Sequence, residues 1–401
     1  MSLAWSFYIS TVLVYLGVDI MACWGLNLQY GYTGIVNFSF IIYQSAGAYT
    51  AAVLTLGPNT AGSFQQYIGG ANLPFPLPVI AAGIAGGLLS VVVGVIALRR
   101  LRADYQAMVF LVISLIATAV VTDDVGLFNG PAGLSIIPQP LSTVLNLSLV
   151  GYRWFYVGLT AVICLIVYWF VWRITSAPLG RSLRAVRDHE QGAAALGKNV
   201  TSLRMTSFVA GGVIAGISGA VLVEFISAWS PGAWLYQETF VLFAAVIVGG
   251  TANNAGAALG ALLVPVAFLE ATRFLPQFGP PGLIDALQWV AVGLLTLIFL
   301  WFWPRGVLPE RRRIIQLPGL QQARTGLQRP FDYEKTTETR CPRCSDSGRH
   351  RPRRPRCCGS MIWPRATAAS TPWPGRPSTC RGAVSPALSA RTAPASPPCW
   401  A

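Results

Sequence analysis

The chain has 401 residues, 53% of them hydrophobic and only 11% charged. A soluble domain carries roughly 25% charged residues, so the composition excludes an ordinary soluble enzyme or binding domain. The formal net charge of +14 does not indicate nucleic-acid binding, because most of the excess lies after Arg340, where Asp346 is the only acid.

In chain order, mostly apolar runs fall at about 5–27, 32–57, 78–98, 105–124, 152–173, 204–226, 237–256, 257–273 and 284–303. Read as membrane spans, each must be a helix, because unpaired backbone groups are costly in hydrocarbon. A β-barrel would need alternating segments of about ten residues, and these runs are unbroken and longer. The first run has no Lys or Arg before it and no small-residue cleavage site, so it reads as a span and not as a cleaved leader. Cys23 and Cys164 sit in apolar runs, where a Cys usually packs.

The second run, from Gly31 to Val53, is apolar overall, yet it holds Asn37, Ser39, Gln44, Ser45 and Thr50. Gly31, Gly34, Gly47, Ala48, Ala51 and Ala52 supply small residues that let helices approach closely. Two readings stay open. One is a packed interior helix with satisfied polar groups. The other is a helix lining a polar pathway and broken near Asn37, so that free backbone groups face a substrate. On the second reading Asn37, Gln44 and Ser45 are the substrate-pathway candidates.

Lys and Arg in short loops predict orientation. Arg99, Arg100 and Arg102 mark one cytoplasmic loop, the 176–204 segment a second, and Arg305 with Arg311 to Arg313 the cytoplasmic C-terminal side. Two spans separate the first pair of markers and four the second, so the parity is consistent. It places the N-terminus outside, together with the Gly-, Pro-, Asn- and Ser-rich segments 58–77, 125–151, 227–236 and 274–283.

The segment from Ser176 to Arg204 is the long charged stretch between apolar regions. Leu179, Leu183, Val186, Ala193 and Ala194 recur at steps of three and four, which predicts one amphipathic helix with Glu190 on the same side. Gly197 suits its C-terminal cap, and Lys198 the negative end of its dipole. Periodicity alone describes only a solvated surface helix. Further on, Gly249, Gly250, Gly256 and Gly260 predict a tight helical hairpin, with packing favoured over ligand contact. Asp19, Glu224, Glu238 and Glu270 are acids in or near the spans and functional candidates by default. Both His residues, His189 and His350, lie outside the spans, so a proton relay has little support.

Glu190, Ala193-Ala194-Ala195 and Gly197 resemble the coupling loop of ABC importer permeases. The likeness extends to Gly31-x-x-Gly34 with Gly47-Ala48-Tyr49, to Val248-Gly249-Gly250 with Gly256-x-x-x-Gly260, and to Trp303-Pro304-Arg305-Gly306. Together these resemble branched-chain amino-acid permeases of the LivM/LivH type over about residues 5–315. Ser39-Phe40 departs from the Gly-His frequent in that family, which bears on the substrate.

The resemblance implies an all-α, polytopic membrane helical bundle of about eight or nine spans, with a cytoplasmic coupling helix. It implies a plasma-membrane permease subunit, not an enzyme, that imports branched-chain or other hydrophobic amino acids. No cofactor or metal is expected in this chain, since ATP would be bound by partner ATPase subunits. A second, related permease subunit and an extracytoplasmic solute-binding protein complete the expected partners. Glu190, Ala193, Ala194 and Gly197 would carry ATPase coupling, with Arg184 and Arg187 flanking. The alternatives are an ABC permease for urea or short-chain amides, an ion-coupled secondary transporter, and a passive channel for a small polar solute.

Residues 1–315 are thus the permease domain and 316–340 a polar linker. Residues 341–401 contain no Lys, Glu, Asn, Gln, Phe or Tyr, and with so little apolar material they are expected to be disordered. Cys341-x-x-Cys344, His350 and Cys357-Cys358 make a poor zinc site. The codons permitted for Ser389 to Ala401 can instead spell, one frame over, GPNGAGKSTLLG. That is a phosphate-binding loop of the GxxxxGKS kind, which makes the tail a candidate out-of-frame remnant of an ATPase domain.

Overall fold

The computed structural model describes residues 2–58, 65–100, 103–142, 148–268, 270–271, 283–303 and 306–310. All belong to one unit, Met1–Ile315. The linker and tail, with their Cys and His residues, lie outside the described residues, as do Arg102, Arg305 and Arg311 to Arg313.

Helix α1 runs over Ser2–Gln29, and α2 over Phe40–Thr55. Next come α3 (Leu77–Arg100), α4 (Ala103–Asp123) and the single turn α5 (Val125–Phe128). Helix α6 (Leu149–Ser176) leads into two short helices, α7 (Pro178–Asp188) and α8 (Glu190–Ala195). Then follow α9 (Val200–Ile226), α10 (Tyr236–Gly249), α11 (Asn254–Ala261) and α12 (Leu283–Phe302). Among the described residues six helical segments are long and apolar enough to cross a membrane, and Asn254–Phe268 and Ala286–Phe302 are shorter apolar helices. With the 16-residue α2, every expected span contains a helix among the described residues, six of spanning length and three shorter.

The second expected span is shorter than its apolar run. The apolar run starts at 32, but the helix starts only at Phe40. Gly34 takes φ +76°, a left-handed conformation that glycine adopts without strain. Asn37 Oδ1 accepts from the Ser39 N–H at 3.0 Å and the Ser39 hydroxyl at 2.7 Å, an arrangement that competes with helical pairing. At about 1.5 Å per residue α2 spans roughly 24 Å, less than the roughly 30 Å of a hydrocarbon core. Irregular backbone at such depth is tolerated when protein surrounds it, and Tyr32, Thr33, Ile35, Asn37 and Ser39 are all buried.

Polar side chains hold that break in place. Gln29 Oε1 accepts from Asn37 Nδ2 at 2.8 Å, while Gln29 Nε2 donates to the Phe208 carbonyl at 2.8 Å. The Ser207 hydroxyl donates to the Leu28 carbonyl at 2.6 Å, and the Thr33 hydroxyl to Ser207 Oγ at 2.7 Å.

Helix α9 forms the centre because its glycines admit its neighbours. A Cβ on Gly219 would lie 1.9 Å from the Gln44 carbonyl oxygen of α2, and one on Gly216 would lie 2.3 Å from the Ala82 oxygen of α3. A Cβ on Gly211 would lie 2.7 Å from the Gly25 oxygen of α1. Close backbone approach of this kind drives helix association in lipid. The expected hairpin of α10 and α11 forms the same way: a Cβ on Gly260 would come within 1.8 Å of the Ala245 oxygen. Asn253 Oδ1 caps α11 by accepting from the Ala255 N–H at 3.1 Å.

Helix α11 continues as a π-helical segment, Leu262–Phe268, around Pro265. A proline inside a helix has no N–H for the ladder and crowds the preceding turn, so the coil widens.

Candidate coupling face and internal cavity

At one end of the bundle four stretches far apart in sequence meet. Arg187 Nη1 donates to the Gly31 carbonyl at 2.6 Å, and Nη2 to Glu310 Oε2 at 2.9 Å. Arg184 Nε lies 2.9 Å from Glu310 Oε1, and its guanidinium stands 5.0 Å from the centre of the Tyr32 ring. The Val307 and Leu308 N–H groups donate to the Val248 and Gly249 carbonyls at 2.8 and 3.0 Å. The Ala252 N–H donates to Asn27 Oδ1 at 2.9 Å. The break before α2, helix α7, the α10–α11 turn and the stretch after α12 are thereby tied together.

Burial opposes the charge on Arg187, but hydrogen bonds and charge from Glu310 and Asp188 outweigh it and raise its pKa above the ordinary value. Arg184 and Arg187, predicted to flank an ATPase contact, thus have partners within the chain.

The predicted single amphipathic helix is two helices. It breaks at His189, which is extended at φ −154°, ψ 90°. Asp188 and His189 are poor helix formers, and Glu190 restarts the helix with an acid at its positive end. Gly197, at φ +78°, ends α8 as expected. Its N–H donates to the Ala194 carbonyl at 2.9 Å, and the Lys198 N–H to the Ala193 carbonyl at 3.1 Å.

Ala193 is buried and anchors α8, while Glu190, Ala194 and Gly197 are exposed. Glu190 Oε2 pairs with Arg204 Nη2 at 2.9 Å. Beside them Leu196 is 84% exposed, a large apolar side chain at the tip of a polar segment. Neither Leu196 nor Glu310 was singled out from sequence. Leu196 looks like one more apolar helix position, and Glu310 stands immediately before a run of Arg that masks it.

Inside the bundle lies a cavity of about 510 Å³. Asp19 and Tyr15 of α1, Gln44 and Ile41 of α2, Glu238 and Leu242 of α10, and Pro265 and Val266 of the π segment all face it. Glu270 also lines it and accepts from the Tyr8 hydroxyl at 3.1 Å. Of the three pathway candidates, Gln44 lines this cavity. Asn37 is buried with both ends of its amide bonded at the break, and Ser45 is buried away from the cavity. Glu224 stands apart in α9, 1% exposed, and neither carboxylate oxygen has a hydrogen-bond partner among the described residues. Pro265 lies within an apolar run, where the sequence alone does not show that the helix widens around it.

The span-length helices with buried polar breaks define a multi-pass membrane protein. Residues 8–302 match the family described as branched-chain amino acid transport system / permease component, and the chain belongs to that family. Permease components are not enzymes.

Among curated relatives, a probable branched-chain amino acid transport permease protein LivM of Methanocaldococcus jannaschii is 29% identical over 328 residues, covering 76% of this chain and 94% of the relative. The high-affinity branched-chain amino acid transport system permease protein LivM of Escherichia coli is 26% identical over 342 residues, covering 79% and 75%. A nucleoside ABC transporter permease protein NupC of Lactococcus lactis is 28% identical over 247 residues, covering 57% and 71%. No solved structure matches the chain.

Proposed function

We propose that this chain is the membrane permease subunit of an ABC importer in a bacterial plasma membrane, carrying branched-chain or other hydrophobic amino acids into the cytoplasm. Partner ATPases bind and hydrolyse ATP. A second, related permease completes the pathway, and a solute-binding protein delivers substrate from outside. The substrate class is supported by the family and by the relatives named for branched-chain amino acids.

The observation that carries the reading is the exposed tip of α8, with Glu190, Ala194, Leu196 and Gly197, joined through α7 to Gly31 and Glu310. Small residues around one exposed leucine form a shallow, knobbed surface suited to a cleft on a cytoplasmic subunit. A push on that tip is transmitted by Arg187 to the break that precedes α2.

Leucine uptake and ATP hydrolysis, measured together in proteoliposomes holding the full transporter, test the reading. Glu190→Lys should leave the complex in the membrane and abolish ATP-driven uptake. Uptake unchanged by the substitution, or indifferent to removal of the ATPase, would refute it. Urea and short amides belong in the same assay as competitors, and their uptake in place of leucine would move the substrate class.

A further inference from the structure

We infer that the cavity lined by Asp19, Gln44 and Glu238 binds the ammonium group of the transported amino acid, with the apolar side chain lying against Ile41, Leu242 and Val266. The inference rests on the proposed amino-acid import and places its substrate site inside this chain.

Three observations point to a cationic ligand. Asp19 and Glu238, from α1 and α10, line the same cavity. Among the described residues no Lys, Arg or His lines the cavity to balance them. Ionising half-buried carboxyls at membrane depth is costly without a counter-charge, and a cationic ligand supplies one.

The second observation is independent of the acids. Gln44 is 4% exposed, what exposure it has opens on the cavity, and its side-chain amide has no hydrogen-bond partner among the described residues. A buried amide without a partner costs free energy that a polar ligand removes. Its position is not accidental: the Gln44 carbonyl is packed against Gly219, which fixes where its side chain starts.

The third is the wall. Pro265 and the π turn line the cavity, and such helix irregularities recur at functional sites. A volume of about 510 Å³ lies within the roughly 300–1,000 Å³ of small-molecule sites. The lining combines Asp19, Gln44 and Glu238 with Ile41, Leu242 and Val266, the mixture that a small molecule with a charged head and an aliphatic body requires.

The test uses the complete transporter and the purified permease pair in lipid nanodiscs. Probes are leucine, 3-methylbutylamine, which keeps the ammonium but lacks the carboxylate, and 4-methyl-2-oxopentanoate, which lacks the ammonium. The pair should bind leucine and 3-methylbutylamine and exclude the oxo acid. Asp19→Asn and Glu238→Gln should each weaken that binding by roughly 10-fold to 100-fold, the value of a charge-assisted hydrogen bond. Asp19→Glu, which keeps the charge, should retain most of it and guards against a folding defect.

Equal binding of the oxo acid, or wild-type binding in Asp19→Asn and Glu238→Gln, overturns the inference and leaves amino-acid import standing. Loss of permease pairing in these variants with ligand binding intact also overturns it, by assigning the carboxylates to a subunit contact. If the wild type imports no leucine, the proposed function fails. The amine-binding comparison then still decides whether the cavity is an ammonium site.

Discussion

The two ends of the bundle are held by different chemistry. At the end that carries α7 and α8, Arg184 and Arg187 grip Glu310, and Arg187 also grips the Gly31 carbonyl. At the other end the extended segments are joined to one another by neutral groups. Strand β1 (Leu134–Ser135) pairs antiparallel with β2 (Ala228–Trp229). Gln65 spends both ends of its amide on Ser135: Oε1 accepts the Ser135 N–H at 3.0 Å, and Nε2 donates to the Ser135 hydroxyl at 2.7 Å. The Tyr67 hydroxyl donates to the Gly57 carbonyl at 2.7 Å.

The contrast is one of exchangeability. Partly exposed ion pairs have modest net worth, because water can replace either partner, so a joint made of them can open and reform. A cap built from backbone pairing and a two-ended amide has one satisfied arrangement, and leaving it strands buried groups. The charged end therefore suits a part that moves, and the neutral end suits a rigid lid.

Substitutions can break or sharpen this contrast. The largest effect should come at the helix crossing both ends share. Gly219→Leu forces a side chain into the Gln44 backbone and should cost about 3 kcal/mol or more, read as loss of the monodisperse species in size-exclusion chromatography. Gly57→Ala meets nothing within 4 Å and should elute as wild type.

Arg187→Ala leaves the Gly31 carbonyl without its donor and Glu310 with Arg184 alone, and should cost about 2 kcal/mol. A double-mutant cycle with Glu310→Ala should show positive coupling in thermal unfolding. Additive losses would mean that the joint carries no energy.

Gln65→Ala, at the neutral end, should cost about 1 kcal/mol in the same measurement and leave the ratio of uptake to ATP hydrolysis unchanged. Smallest in stability should be Leu196→Asp, within about 0.5 kcal/mol of wild type because the site is exposed. Its effect should fall on uptake instead, which should drop at least tenfold. A stable protein with full uptake would remove Leu196 from the coupling face.

Much of this was legible from residue type alone. Apolar runs placed the spans, and Gly197 ended its helix as read. The α10–α11 glycines marked a hairpin, and close backbone packing is seen at Gly249, Gly256 and Gly260. Other features were visible but gave no direction. The glycines of α9 at Gly211, Gly216 and Gly219 are as plain as those of the hairpin, yet a small residue in a span does not say which helix comes close. Asn37 and Gln44 read alike as polar residues in an apolar run. One is consumed in holding a backbone break, and the other opens on a cavity.

Composition by itself determined a multi-pass helical membrane protein, because bilayer thickness and backbone pairing leave long apolar runs only one structure. The order of its motifs identified its family, since those short patterns recur in sequence. Only the tertiary structure decided that Arg187, Gly31 and Glu310 form one joint and that Asp19, Gln44 and Glu238 share one cavity. These groups lie far apart along the chain, and a hydrogen bond or a cavity depends on distances in space that no local pattern encodes.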